Sequence, residues 1–122
     1  MASILVVDDD PILRAIATDI LSDGGHTVSE AENGREAADA VGRARFDLVI
    51  TDILMPDVDG LELIGRLKKS AEAVKILAIS SGGSFHSKDV LDWATAVGAD
   101  GILSKPLTRD RLLDAVSKLI TA

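Results

Sequence analysis

Cysteine and tyrosine are absent from these 122 residues, and the remaining aromatics are only Trp93, Phe46 and Phe85. Without thiols there is no disulfide framework and no thiolate site, which fits a reducing, cytoplasmic setting. With so few rings, base-stacking platforms and flavin pockets are not expected. Positive charge is scarce as well: 13 Lys and Arg stand against 20 Asp and Glu, a net charge of −7. That balance argues against nucleic acid as a direct partner, because phosphate binding needs a basic face. No apolar run approaches the ~20 residues of a membrane span, so no membrane partner is expected. Met1 leads straight into the first apolar run, so no signal peptide is expected. Repeats, linkers and low-complexity tracts are missing too. The expectation is a single domain, residues 1–122, with no attached effector domain.

What is present is a series of short apolar runs that end in polar residues. Ile4-Leu5-Val6-Val7 runs into Asp8-Asp9-Asp10, and Leu48-Val49-Ile50-Thr51 into Asp52. Ile76-Leu77-Ala78-Ile79 runs into Ser80-Ser81, and Gly101-Ile102-Leu103-Ser104 into Lys105-Pro106. Such runs read as parallel strands buried on both faces. Between them lie helical patterns. Asp10-Pro11 supplies an N-cap and a first-turn proline for a helix whose apolar stripe is Ile12, Leu13, Ile16, Ile20 and Leu21, stopping at Gly24-Gly25. His26 to Ala31 reads as a strand near the sheet edge, and Asn33-Gly34 as a turn. Arg35 to Arg45 is helical with Ala37, Ala38 and Val41 facing inward, and Asp47 to Asp52 is the central strand. After the loop 53–60, a third helix runs from Leu61 to about Lys69-Ser70. A strand over 75–80, a loop over 81–84, a helix over 87–97, a strand over 100–104 and a helix over 108–120 capped by Thr108 complete the chain. The pattern is (βα)5, an α/β fold with a parallel sheet and helices on both faces.

In an open α/β sheet the ligand crevice lies beyond the carboxyl ends of the strands. Asp8, Asp9, Asp52, Ser80 and Lys105 should therefore converge. Three carboxylates so close cannot all stay ionised without a cation. All-oxygen ligation suits a hard ion such as Mg²⁺. A divalent metal, a lysine and a hydroxyl make a site for a group with several anionic oxygens, and a phosphoryl group fits best. Asp52, at the sheet centre, can be the nucleophile that receives it. Taken singly, each residue has a plainer reading as a helix cap, a turn residue or a solvated charge, and Asp10 reads as a cap. Taken together, they are hard to assemble by chance.

With these residues in place, the chain resembles the receiver domain of two-component response regulators, the CheY-like family, along its whole length. The matching motifs are Val6-Val7-Asp8-Asp9, Glu30-Ala31-Glu32-Asn33-Gly34-Arg35-Glu36-Ala37, Asp47 through Asp52, Met55-Pro56-Asp57-Val58-Asp59-Gly60-Leu61-Glu62-Leu63 and Lys105-Pro106-Leu107. The resemblance implies a doubly wound, five-stranded sheet in the order 2-1-3-4-5. It implies Asp52 as phosphoacceptor and Asp9 as a direct Mg²⁺ ligand, with Asp8 acting through water and Leu54 through its main-chain carbonyl. It also implies Ser80, with Ser81 beside it, as the switch hydroxyl, Lys105 as the phosphoryl grip and a cis Lys105-Pro106 peptide. Implied partners are a sensor histidine kinase or histidine phosphotransfer protein as donor, and a downstream protein on the face of the fourth helix, fifth strand and fifth helix. Such a domain is not an enzyme, beyond catalysing its own phosphorylation and dephosphorylation. One departure is Ile102, which stands where the family often carries a Tyr or Phe that moves inward on activation.

Other residues read more simply. Trp93 is a core-edge aromatic or a docking residue of the fourth helix, and Gly82-Gly83 a strand-to-helix turn or a mobile phosphate loop. His26 and His86 are solvated or locally bonded. Asp57 and Asp59 shape their loop. A competing function is an aspartate-nucleophile phosphohydrolase of the haloacid dehalogenase type, to which Asp8-Asp9-Asp10 offers an Asp-x-Asp. That class needs a further acidic pair after the lysine, where this chain has only a helix. A third reading, an unphosphorylated adaptor, would have no need of so self-repelling a cluster.

Overall fold

The structure, a computed structural model, describes residues 2–52, 74–80, 98–104 and 107–120, with residue 80 described through its backbone. Five parallel strands, β1 (Ser3–Val7), β2 (Thr27–Ala31), β3 (Leu48–Asp52), β4 (Lys75–Ser80) and β5 (Gly101–Ser104), form one sheet. Their order is β2-β1-β3-β4-β5, as the resemblance implies. The described helices are α1 (Pro11–Asp23), α2 (Gly34–Arg43) and α3 (Arg109–Ile120), the last being the fifth helix of the sequence pattern. The expected helices over 61–70 and 87–97, and the loops over 53–60 and 81–84, lie outside the described residues.

The inner strands β1, β3 and β4 bury both faces, so their apolar runs show no alternation in sequence, whereas the edge strand β5, expected to be buried as well, leaves Ile102 exposed. Alternation exists in space. Ile4, Val6, Leu48, Ile50, Leu77 and Ile79 pack with Ala17 and Leu21 of α1 and Leu112 and Val116 of α3. Leu5, Val7, Val49, Ile76 and Ala78 pack on the other face with Ala37 of α2. Strand register fixes where the polar strand ends meet. β1 pairs with β3 from Ile4–Leu48 to Val7–Thr51. Kept in step for one more residue, the strands bring Asp8 opposite Asp52, both with the parity of the α1 and α3 face.

Local signals hold for the most part. Asp10 caps α1, accepting from the Ile12 amide at 2.9 Å, with Pro11 in the first turn. Gly25 follows the helix at φ 94°, a conformation that favours glycine. Thr108 accepts from the Arg111 amide at the start of α3. Asn33 differs from expectation. The chain does bend here, but Gly34 is already the first residue of α2 and Asn33 is its N-cap, accepting from the Glu36 amide at 2.9 Å. Glu36 reaches back to the Glu32 amide at 2.8 Å, a reciprocal arrangement close to a capping box.

The stripe of α1 also differs. Ala17 and Leu21 are buried, but Ile12 and Ile16 are 71% and 43% exposed. Small Ala17 lets the helix lie close on the sheet, and the inward stripe is Leu13, Ala17, Ile20 and Leu21. Ile12 and Ile16 lie at the exposed edge of this face. At the far end of the sheet, the Asp47 carboxylate accepts from the Ser3 amide and His26 Nδ1 from the Ala2 amide, so His26 is locally bonded.

Candidate functional site

β1 and β3 are adjacent central strands, and their exits carry Asp8 and Asp52. Asp8 continues the ladder for one residue, its amide donating to the Ala31 carbonyl at 3.1 Å. Its Oδ1 then accepts from the Asp10 amide at 2.9 Å, closing the short turn into the Asp10 cap. Asp9 lies between these two anchors and is exposed. Asp8 and Asp52 are 3% and 5% exposed. Buried Thr51 precedes Asp52, and its hydroxyl donates to the Asp52 carbonyl at 3.1 Å.

One carboxylate oxygen from each of Asp8, Asp9 and Asp52 lies within 4.8 Å of the others. Two of these groups are buried, where charge is costly unless compensated. The start of α1 places a positive helix end beside them. The donor set is all oxygen and all anionic, which matches a hard divalent cation. Opposite ligands of a cation that holds oxygen at about 2.1 Å stand about 4.2 Å apart, so a small approach or one bridging water closes this set. The three aspartates thus fit the ion that the sequence called for.

A cation from the protein reaches the same turn. Arg14, one turn into α1, donates from Nη1 to the Asp8 main-chain carbonyl at 2.7 Å and from Nε to Glu30 of β2 at 3.2 Å. Sequence reasoning gave Arg14 no role. Its partners are a main-chain atom and a residue on another strand, and no spacing rule reveals either.

Of the other expected site residues, Ser80 ends β4 and its backbone pairs in register with Ser104 of β5. Its side chain lies outside the described residues, as do Leu54, Ser81, Lys105 and Pro106. The cis peptide and the lysine grip fall there too, as do Trp93, His86 and the Gly82-Gly83 pair. Ile102 is described: it is partly exposed on β5. It borders a groove of about 350 Å³ between β5 and α3, lined by Leu77, Leu103, Ala115 and Leu119. No described helix is long and apolar enough to cross a membrane.

The response regulator receiver domain model matches residues 4–117. The chain is 34% identical to the chemotaxis protein CheY of Halobacterium salinarum, over 98% of this chain and 97% of that protein. It is 36% identical to response regulator MprA of Mycolicibacterium vanbaalenii, over 96% of this chain but only 49% of that one. It therefore spans nearly all of some relatives and about half of others. Among solved structures, the chemotaxis regulator CheY4 of Vibrio cholerae superposes with a TM-score of 0.89 at 32% identity, covering 98% of both chains. The response regulator TrrA of Thermotoga maritima, in complex with Mg(2+)-BeF, superposes at 0.83 with 36% identity over 98% of this chain and 99% of that one.

Proposed function

This chain belongs to the response regulator receiver domain family, and from that premise we propose that Asp52 accepts a phosphoryl group from a phosphohistidine with the help of Mg²⁺. The donor is a sensor histidine kinase or a histidine phosphotransfer protein. The observation that carries this reading is the convergence of Asp8, Asp9 and Asp52 at the carboxyl ends of two neighbouring strands. Family membership sets aside the phosphohydrolase alternative. The domain works as a phosphoacceptor and acts on no external substrate other than the donor.

In the proposed reaction an Asp52 carboxylate oxygen attacks phosphorus. An O–P bond forms as the N–P bond of phosphohistidine breaks, and the departing imidazole keeps the electron pair and takes a proton. Asp8, Asp9 and Asp52, with the Leu54 main-chain carbonyl, would hold Mg²⁺. The ion supplies charge neutralisation for the phosphoryl oxygens. Asp8, fixed through the Asp10 amide, keeps the turn and Asp9 in place. Lys105 pairs with another phosphoryl oxygen, and the hydroxyl of Ser80, with Ser81 beside it, reports the group's arrival.

Two surfaces support the choice of partners. Ile12 and Ile16 expose apolar area on α1 next to the crevice, where a donor protein must dock to present its histidine. The β5–α3 groove, with Ile102 at its border, suits a downstream protein. The test is phosphotransfer from a panel of phosphorylated histidine kinases. Wild type should label to about one phosphoryl per chain, and Asp52→Asn should not label. Equal labelling of the mutant removes Asp52 from its role. Steady turnover of an added phosphomonoester would instead favour the phosphohydrolase.

A further inference from the structure

We propose that Arg14 is a positioning residue for the cation site, acting through the peptide that joins Asp8 to Asp9, with Glu30 setting its direction. The inference rests on the three aspartates holding a cation. A peptide unit is rigid, so a bond that fixes the direction of its carbonyl also fixes the plane from which the next residue departs. The Asp8 amide is held by the Ala31 carbonyl, and the Asp8 carbonyl by Arg14 Nη1 at 2.7 Å. Asp8 is therefore tied on one side to β2 and on the other to α1, and Asp9 departs from the peptide that Arg14 holds. Among the described residues, no hydrogen bond to the Asp9 carboxylate is seen, so its aim depends on its main chain.

Three observations set Arg14 apart from a surface cation. Its side chain is only 17% exposed. Its fork engages two acceptors at once, a geometry that lysine cannot reproduce. Its better bond goes to a neutral carbonyl, not to Glu30, which is 44% exposed and by itself would hold it weakly. Glu30 orients the guanidinium, and the guanidinium orients the turn.

The alternatives differ in sign. A cation near a dication repels it, so if Arg14 acted only by charge, its removal would tighten Mg²⁺ binding. If Arg14 only knitted α1 to β2, stability would fall and Mg²⁺ affinity would not change. Positioning predicts weaker binding in folded protein. Outer partners of metal ligands typically alter affinity by about ten- to a hundredfold.

The experiment is calorimetric titration of the full chain with MgCl₂, with circular dichroism to establish folding. Arg14→Gln should bind Mg²⁺ about tenfold more weakly, at the low end of that range. Arg14→Lys keeps the charge and loses the fork, and it should also bind more weakly than wild type. Glu30→Gln should weaken binding as well, and should add nothing in the Arg14→Gln background, because the two act in series. A folded Arg14→Gln or Arg14→Lys that binds Mg²⁺ as tightly as wild type, or more tightly, overturns the proposal. Should Arg14→Gln not fold, Arg14→Lys decides alone. A wild type that binds no Mg²⁺ overturns the cation reading itself. Wild-type binding with unaltered Arg14 variants overturns only the role of Arg14.

Discussion

Asp8 carries a carboxylate in a space almost closed to water, with two more carboxylates within 4.8 Å. At that separation and an effective dielectric near 20, two unit charges repel by about 3 kcal/mol, before neighbouring groups offset it. Removing one charge while keeping its hydrogen-bond role should therefore stabilise the metal-free protein. Asp8→Asn retains an oxygen for the Asp10 amide. We expect it to raise stability by about 1 kcal/mol without Mg²⁺, or about 4 °C in Tm. Thermal unfolding in a chelator measures this, and a lower Tm would contradict it. At this scale the sequence was informative where chemistry is carried by side chains at strand ends. It was silent on Arg14, whose role depends on a main-chain carbonyl six residues earlier and a carboxylate sixteen residues later.

Strands and helices were legible for different reasons. Apolar runs ending in polar residues marked β1, β3, β4 and β5, and the observed bounds fall within a residue or so of expectation. Which residue of a run faces which helix layer was not legible, because both faces are apolar. For α1, spacing admitted two overlapping stripes. Ile12 and Ile16 lie on one edge of the apolar face, Ala17 and Leu21 on the other, with Ile20 between them. Close packing on the sheet selected the edge containing the small residue and left Ile12 and Ile16 exposed. The two edges can be separated by substitution. Leu21→Ala should cost about 3 kcal/mol in urea unfolding, from lost burial and a residual cavity. Ile12→Ser should change stability by less than about 0.5 kcal/mol, yet slow phosphotransfer from the donor. A large loss of stability in Ile12→Ser would return that residue to the core.

Across the molecule, the acidic site bridges β3, the middle strand, and its interior neighbour β1 in the order β2-β1-β3-β4-β5. A cation bound there has ligands on strands that pack against both helix layers. It should oppose global unfolding and not only quiet one loop. Above its dissociation constant, each tenfold increase in Mg²⁺ should add about 1.4 kcal/mol to unfolding free energy, and Asp52→Asn should abolish this increment. Denaturation at several Mg²⁺ concentrations tests the slope. A flat response in the wild type would count against a cation at these three aspartates. The order of the sheet was foreseeable only through resemblance, since alternation alone gives parallel strands and no sequence of neighbours.

The pairing of β1 with β3 has a practical use. Asp8 and Asp52 share a face only because Ile4 to Val7 run in step with Leu48 to Thr51. A slip of one residue would send one carboxylate to the opposite face of the sheet. With Mg²⁺ held as proposed, its uptake during refolding would be a clock for the moment when two strands, more than forty residues apart in the chain, have found their true alignment.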